Sequence, residues 1–432
     1  MDYSPFAHPL YIMMKPAGAA CNLACEYCYY LEKAESRKQK AEGEELKLKA
    51  ESSGAALKQK AERRKQKAED FTVEETFIKQ YIEAQTQHEV LFTWHGGEPL
   101  LKPISFYREM LHLQQKHAGG HSISNSLQTN GTLLNDEWCR FFRQHHFLIG
   151  ISIDGTQQMH DHYRRTRNNQ PTFERVMRGI SLLNKHGVDW NAMAVVNRLN
   201  AEQPREFYRF FRSIGCRFLQ FTPVVERHTQ RPDGLTLAPG MSEEGELASF
   251  SVTPEQWGRF LCEVYDEWVR QDVGRIYVQL FDATLANWVG MSPGLCTMSA
   301  SCGHAAALEA NGNLYSCDHF VYPEYLLGNI ARQTITAMMY GPQQRAFAQM
   351  KTQRLPRQCR ECQFLFACHG ECPKNRFSRD CYGEPYLNYL CTGYRQFFTH
   401  VAADMQFMAN ELAHRRPPAN IMAKYNNGTL PH

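Results

Sequence analysis

Eleven of the chain's 15 cysteines fall in two clusters, and any fold it adopts has to gather each of them. The first is Cys21-Asn22-Leu23-Ala24-Cys25-Glu26-Tyr27-Cys28, three thiols in one short loop. The second is spread over Cys296, Cys302, Cys317, Cys359, Cys362, Cys368, Cys372 and Cys391, while Cys139, Cys216, Cys262 and Cys381 stand apart. The opening residues MDYSPFAHPLYIMMK lack a basic stretch ahead of an apolar one, so no export signal is expected and the thiols are read as reduced and cytoplasmic. Three thiolates on one loop suit three corners of a four-iron four-sulfur cluster and leave its fourth iron open. Zinc usually takes four ligands, and no fourth Cys or His follows closely. For the eight C-terminal cysteines, two fully ligated four-iron clusters and two structural zinc sites satisfy the same count.

Around the first cluster the pattern is that of parallel βα units. Candidate strands are Leu10–Met14, Val90–Trp94, Ser124–Gln128, Leu148–Ile153, Asn191–Val196 and Phe218–Pro223. Amphipathic stretches lie between them, such as 72–82 and 173–186, and Thr72 with Glu75 reads as a capping box. Six such units predict an α/β fold, a partial (β/α)6 barrel of TIM type, with its site at the carboxyl ends of the strands. His95-Gly96-Gly97-Glu98-Pro99, Thr129-Asn130-Gly131 and Asp154-Gly155 all fall there. The domain reading is a barrel over 1–233, a linker and helical segment over 234–290, a cysteine-rich unit over 291–395 and a terminal helix and tail over 396–432. Residues 228–250 read as loop, 254–271 and 394–415 as helix.

Residues 33–69 interrupt the barrel with repeats of RKQKAE at 37–42 and 64–69. The segment holds 12 Lys and Arg against 7 Glu, which leaves 36 basic against 38 acidic residues elsewhere. The overall +3 therefore comes from a solvated insertion, and the body of the chain is not built to hold nucleic acid. No apolar run approaches the roughly 18 residues of a membrane span, so no membrane partner is expected.

CxxxCxxC after the first strand, with Gly96-Gly97-Glu98-Pro99 after the second, resembles the radical S-adenosylmethionine (SAM) enzymes. In that family the open iron chelates SAM, and reductive cleavage yields a 5′-deoxyadenosyl radical. The glycines are expected to let the backbone approach the methionine end of the ligand. The C-terminal cysteines resemble the SPASM extension, which implies two auxiliary clusters and so three four-iron clusters in all. By that resemblance Cys296, Cys302, Cys317 and Cys372 hold one, and Cys359, Cys362, Cys368 and Cys391 the other. Within this group, KPAGAACNLACEYCYYLEK, FTWHGGEP, QTNGTLL, CGHAA, YSCDHFVYPEYLLGNI and CQFLFACHGECPKNRF are similar to the anaerobic sulfatase-maturating enzymes. These oxidise a cysteine or serine of an unfolded sulfatase to Cα-formylglycine.

The resemblance assigns roles residue by residue. Asp318 matches the proton acceptor, with His319 the other candidate. Tyr27, Gly97, Ser152, Arg164 and Val225 fall at SAM-binding positions, and Tyr30 at a substrate-pocket tyrosine. By charge, Glu98 is expected to take the ammonium of SAM and Arg164 its carboxylate. The implied partners are a sulfatase polypeptide and a flavodoxin or ferredoxin as electron donor, with the chain acting as a monomer. Thioether crosslinking of a ribosomal peptide by a SPASM maturase is the alternative activity.

Overall fold

Six parallel strands carry the expected barrel units: β1 Tyr11–Lys15, β2 Glu89–Trp94, β3 Ser122–Thr129, β4 Leu148–Ser152, β5 Trp190–Val196 and β6 Phe218–Pro223. The computed structural model describes residues 9–30, 71–231, 234–238 and 240–426, so the 33–69 insertion lies outside the described residues. Helices Thr72–Glu83, Ile104–His117, Asp136–Gln144, Phe173–His186 and Pro204–Ser213 cover the strands. Their aromatic faces fill the layer beneath: Phe77, Tyr81, Phe106, Tyr107, Phe142 and Phe207 are all buried against the sheet core. Cys139, Cys216 and Cys262 are buried among these apolar neighbours, as small hydrophobes are.

Three expectations need correction. The helix at 72–83 has Phe71 at its N-cap and no capping side chain, while Glu75 accepts from Lys116 (2.7 Å) and His117 (2.9 Å) of the next helix. The capping box belongs to Thr253 and Gln256, which open the helix Pro254–Gln271. Residues 228–250 are not simply loop: β7 Arg227–Arg231, β8 Gly234–Leu237 and β9 Glu246–Leu247 form a small antiparallel sheet beyond the end of β6.

The third correction matters most for the site. β10 Tyr277–Val278 extends the sheet beside β6, and β11 Ala305–Glu309, β12 Asn313–Tyr315 and β13 Leu326–Asn329 extend it on the other side. β11 runs parallel to β1 in continuous register from Tyr11↔Ala305 to Lys15↔Glu309. The sheet is thus not confined to the six barrel strands: it is one open ten-stranded sheet that takes in strands of the cysteine-rich region.

Candidate active site

The loop after β1 is zipped along both sides. Gly97 N–H donates to Gly18 O (2.9 Å) and Glu98 N–H to Ala20 O (2.8 Å). A Cβ on Gly97 would lie 2.1 Å from Ala20 O, so the close approach of the cysteine loop by itself requires a glycine here. On the other side Ala24 N–H donates to Arg165 O and Glu26 N–H to Tyr163 O. Asn130 Nδ2 ties Asn22 Oδ1 (2.8 Å) to the end of β3. The loop so fixed brings Cys21, Cys25 and Cys28 within electrostatic reach of one another. Burial pushes the Cys21 thiol to about 11 and the Cys25 thiol to about 12, so both are thiols unless a metal draws off the proton.

Tyr27, Arg164 and Asp154 form one buried unit. Asp154 is fully buried and accepts from Arg164 Nε (2.9 Å) and Nη2 (3.1 Å), from Val195 N–H (2.9 Å) and from the Tyr27 hydroxyl. The guanidinium of Arg164 stands 5.5 Å from the Tyr27 ring centre. Arg164 therefore spends one edge of its fork on Asp154, and only the remaining edge is left for a carboxylate. Ser152 Oγ accepts from Gln128 at the end of β4, and Val225 is buried just beyond β6.

Glu98 is fully buried and accepts from Leu100 N–H, Thr129 Oγ1 and Asn130 N–H. Burial raises its pKa to about 7 despite those three bonds, and no cation among the described residues pairs with it. A buried carboxyl lacking a cation at the strand ends fits the ammonium of an amino-acid ligand.

Asp318 is brought to the carboxyl end of β1 by the β1–β11 pairing. It forms an ion pair with Lys15, a fully buried lysine at the end of β1, and accepts from the Tyr29 hydroxyl (2.5 Å). Burial works against its charge, but Lys15, His95 and His319 outweigh that and hold the carboxyl well below the usual carboxylate range. His319 stands edge-on to Tyr29 and places Nδ1 3.7 Å from Cys372 Sγ. Tyr30 is buried, donates to Glu309 (2.7 Å) and lies under Lys15 Nζ, 3.7 Å from its ring centre.

The eight C-terminal thiols fall into two sets. Cys296, Cys302, Cys317 and Cys372 act on one another electrostatically, and so do Cys359, Cys362, Cys368 and Cys391. Cys381 is exposed. Among the described residues no three His, Cys, Asp or Glu side chains are disposed to hold a single metal ion. Two fully buried cations with no carboxylate ion pair among the described residues lie near these thiols: Lys351 beside Cys296 and Cys302, and Arg376 within reach of both sets. Buried charges are paired as a rule. The buried Glu371 carboxyl lies within electrostatic reach of both without a direct ion pair, and thiolates on clusters, carrying net negative charge, fit as further counter-charge.

Profiles of known families match both the barrel and the cysteine-rich region. The radical SAM superfamily matches residues 16–211, and the iron-sulfur cluster-binding SPASM domain matches 301–363. The serine-type anaerobic sulfatase-maturating enzyme of Bacteroides thetaiotaomicron is 55% identical over 429 residues, 99% of this chain and 98% of that protein. The chain belongs to the anaerobic sulfatase-maturating enzymes. As a member of this family it is a radical SAM enzyme, with the radical SAM α/β fold and an iron-sulfur SPASM region. The cysteine-type family enzyme of Clostridium novyi is 28% identical over 416 residues, covering 94% of this chain and 99% of that one. Among solved structures, native anSMEcpe with bound AdoMet and Cp18Cys peptide aligns with a TM-score of 0.76 at 27% identity, over 94% of this chain and 100% of that one.

Sequence reading named the strand-end Asp154 without giving it a role, and passed over Lys15, Tyr29 and Arg376. The first two had a signal. Lys15 closes an otherwise apolar strand, YIMMK, and Tyr29 directly follows the third cysteine of the loop. Arg376 had none, since an arginine in CPKNRF reads as surface.

Proposed function

We propose that this enzyme converts a serine of an unfolded sulfatase polypeptide to Cα-formylglycine under anaerobic conditions. The placement of Asp318 carries the reading: an ionised carboxylate, beside the Cys317 set, held by Lys15 from the barrel and by Tyr29 from the cysteine loop. With a four-iron cluster on Cys21, Cys25 and Cys28 and SAM beside it, the pair supplies a 5′-deoxyadenosyl radical that takes a Cβ hydrogen from the target side chain. Everything else is the protein's part. Glu98 takes the ammonium of SAM, and the free edge of Arg164 its carboxylate. Tyr27, Gly97, Ser152 and Val225 complete that pocket, with Tyr30 at the substrate side. Asp318 accepts the hydroxyl proton as the carbonyl forms. The Cys296/Cys302/Cys317/Cys372 and Cys359/Cys362/Cys368/Cys391 sets would hold two further clusters, three in all, and these would supply a sink for the electron left on the substrate.

Serine is the expected target because the serine-type relative is 55% identical and the cysteine-type relative 28%. A flavodoxin or ferredoxin supplies the reducing electron, and the chain acts as a cytoplasmic monomer. The test is an anaerobic assay with paired sulfatase-derived peptides, one carrying Ser and one Cys at the target position. A trappable aldehyde should form on the Ser peptide, with 5′-deoxyadenosine in proportion. A dehydrogenated product without an aldehyde sinks the proposal and favours a crosslinking maturase.

A further inference from the structure

Cys368 and Cys372 belong to different thiol sets yet stand four positions apart, so the turn between them fixes how the two sets sit relative to each other. That turn is strained. His369, Gly370 and Glu371 have φ of 47°, 71° and 53°, three consecutive left-handed residues of which only the glycine adopts this conformation freely. All three of their carbonyls are taken by one side chain. Arg376 Nε donates to Gly370 O (2.8 Å), and Nη2 to His369 O (2.8 Å) and Glu371 O (3.2 Å). Its Nη1 donates to Lys351 O (2.6 Å). The fit is close: a Cβ on Gly370 would lie 2.6 Å from Arg376 Nη2.

Arg376 is fully buried, and among the described residues these carbonyls are the only hydrogen-bond partners of its guanidinium. The nearby Glu371 carboxylate accepts from Asn388 instead (2.7 Å). The guanidinium lies within electrostatic reach of Cys302 and Cys372 in one set and of Cys359 and Cys368 in the other. Lys351 differs. Its Nζ caps Cys296 O (2.7 Å) and Thr297 O (2.8 Å), and it acts on Cys296 and Cys302 alone among the ligand thiols.

We infer that Arg376 is a positioning residue shared by the two auxiliary clusters: it braces the turn joining their ligand sets and supplies one buried positive charge to both. The inference rests on the reading that both sets hold clusters. An electron added to either cluster increases its negative charge, and a fixed buried cation beside it favours that reduced state. A guanidinium suits the task because it stays charged at any working pH and its planar fork reaches several carbonyls at once.

The test uses full-length enzyme reconstituted anaerobically, with iron and sulfide quantified and the midpoint potential of each cluster followed by EPR during redox titration. Wild type showing only the radical-site cluster would defeat the cluster reading itself and is distinguishable from failure of this inference. In Arg376→Gln both auxiliary potentials should fall while the radical-site cluster stays unchanged. In Lys351→Gln only the cluster on the Cys296 set should fall. If Arg376→Gln cannot hold the clusters, both auxiliary clusters should be lost together. If it yields no soluble protein, Arg376→Lys, which keeps the charge, should load both clusters and leave both potentials near wild type. One auxiliary cluster responding alone in either Arg376 variant, or neither responding in Arg376→Gln, overturns the proposal.

Discussion

Lys15, the last residue of β1, is ion-paired with Asp318, the residue that follows Cys317. The lysine side chain is 1% exposed and the carboxylate 11%, so the pair is held away from water at the junction of barrel and cysteine-rich region. Its consequences are chemical and structural together, because the same contact orients the proposed base and seals the seam between β1 and β11.

Asp318→Asn keeps the shape and removes the base. Formation of 5′-deoxyadenosine should continue while formylglycine falls by on the order of 10²-fold or more, the usual worth of a positioned base. Leaving Lys15 buried without its counter-ion should also cost on the order of 3–5 kcal/mol of stability. Both products are to be quantified in one anaerobic reaction, well below the variant's melting temperature, with iron content as control. Unchanged formylglycine yield would remove Asp318 from the mechanism and turn attention to His319.

The pH dependence of SAM binding should come from Glu98. Its pKa is raised to about 7 in the folded protein, so the ordinary carboxylate range is where folding begins to favour the protonated form. Its ionisation therefore destabilises the ligand-free fold as pH climbs from about 4.5 to about 7. A cationic amino group reverses this preference. Affinity for SAM, measured by equilibrium dialysis, should rise between pH 6 and 8, and Glu98→Gln should bind more weakly with that rise abolished. Asp318, held ionised far below this range, should add no acid limb of its own.

Gly97→Ala puts a methyl group 2.1 Å from Ala20 O, a backbone atom that cannot swing aside. The cysteine loop has to move. Iron analysis of the variant should show loss of the radical-site cluster with the auxiliary iron retained, and SAM cleavage should fall to background. Full iron loading with normal cleavage would show that the loop tolerates displacement.

Asp154 should act through Tyr27 and Arg164. Asp154→Asn is expected to weaken SAM binding by about 10-fold or more, since an amide cannot accept from all of its donors at once. Tyr27→Phe, which loses only the hydroxyl, should cost less in the Asp154→Asn background than in wild type. Strict additivity of the two affinities would mean that the residues act independently.

How much of this was legible depended on whether a feature has a local pattern. Helices 173–186 and 254–271 could be bounded to the residue because their apolar spacing and flanking residues are local. Strands β7 and β8 could not, since RHTQR and GLTL carry no sustained apolar alternation. The pairing of β1 with β11 was invisible for a different reason: nothing in YIMMK or AAALE encodes the other as partner. The division of the eight C-terminal cysteines into two ligand sets was implied by family resemblance alone, because spacing left it open. Lys15 and Arg376 were missed because a buried cation is defined by what surrounds it, not by its neighbours in sequence.

The β1–β11 pairing also sets an order of events during synthesis. One edge of β1 meets β2 early, but its other edge waits for Ala305–Glu309 to leave the ribosome. At roughly 5–20 residues per second, that wait is on the order of tens of seconds. Throughout it, a nascent barrel displays an unsatisfied strand edge directly beside the Cys21–Cys28 loop, the arrangement most open to wrong pairing. Iron delivered before β11 arrives would meet a loop whose neighbouring edge is still uncovered. A chain that ends before Ala305–Glu309 therefore leaves the outer edge of β1 uncovered, and the barrel is closed on that side only by its own C-terminal half.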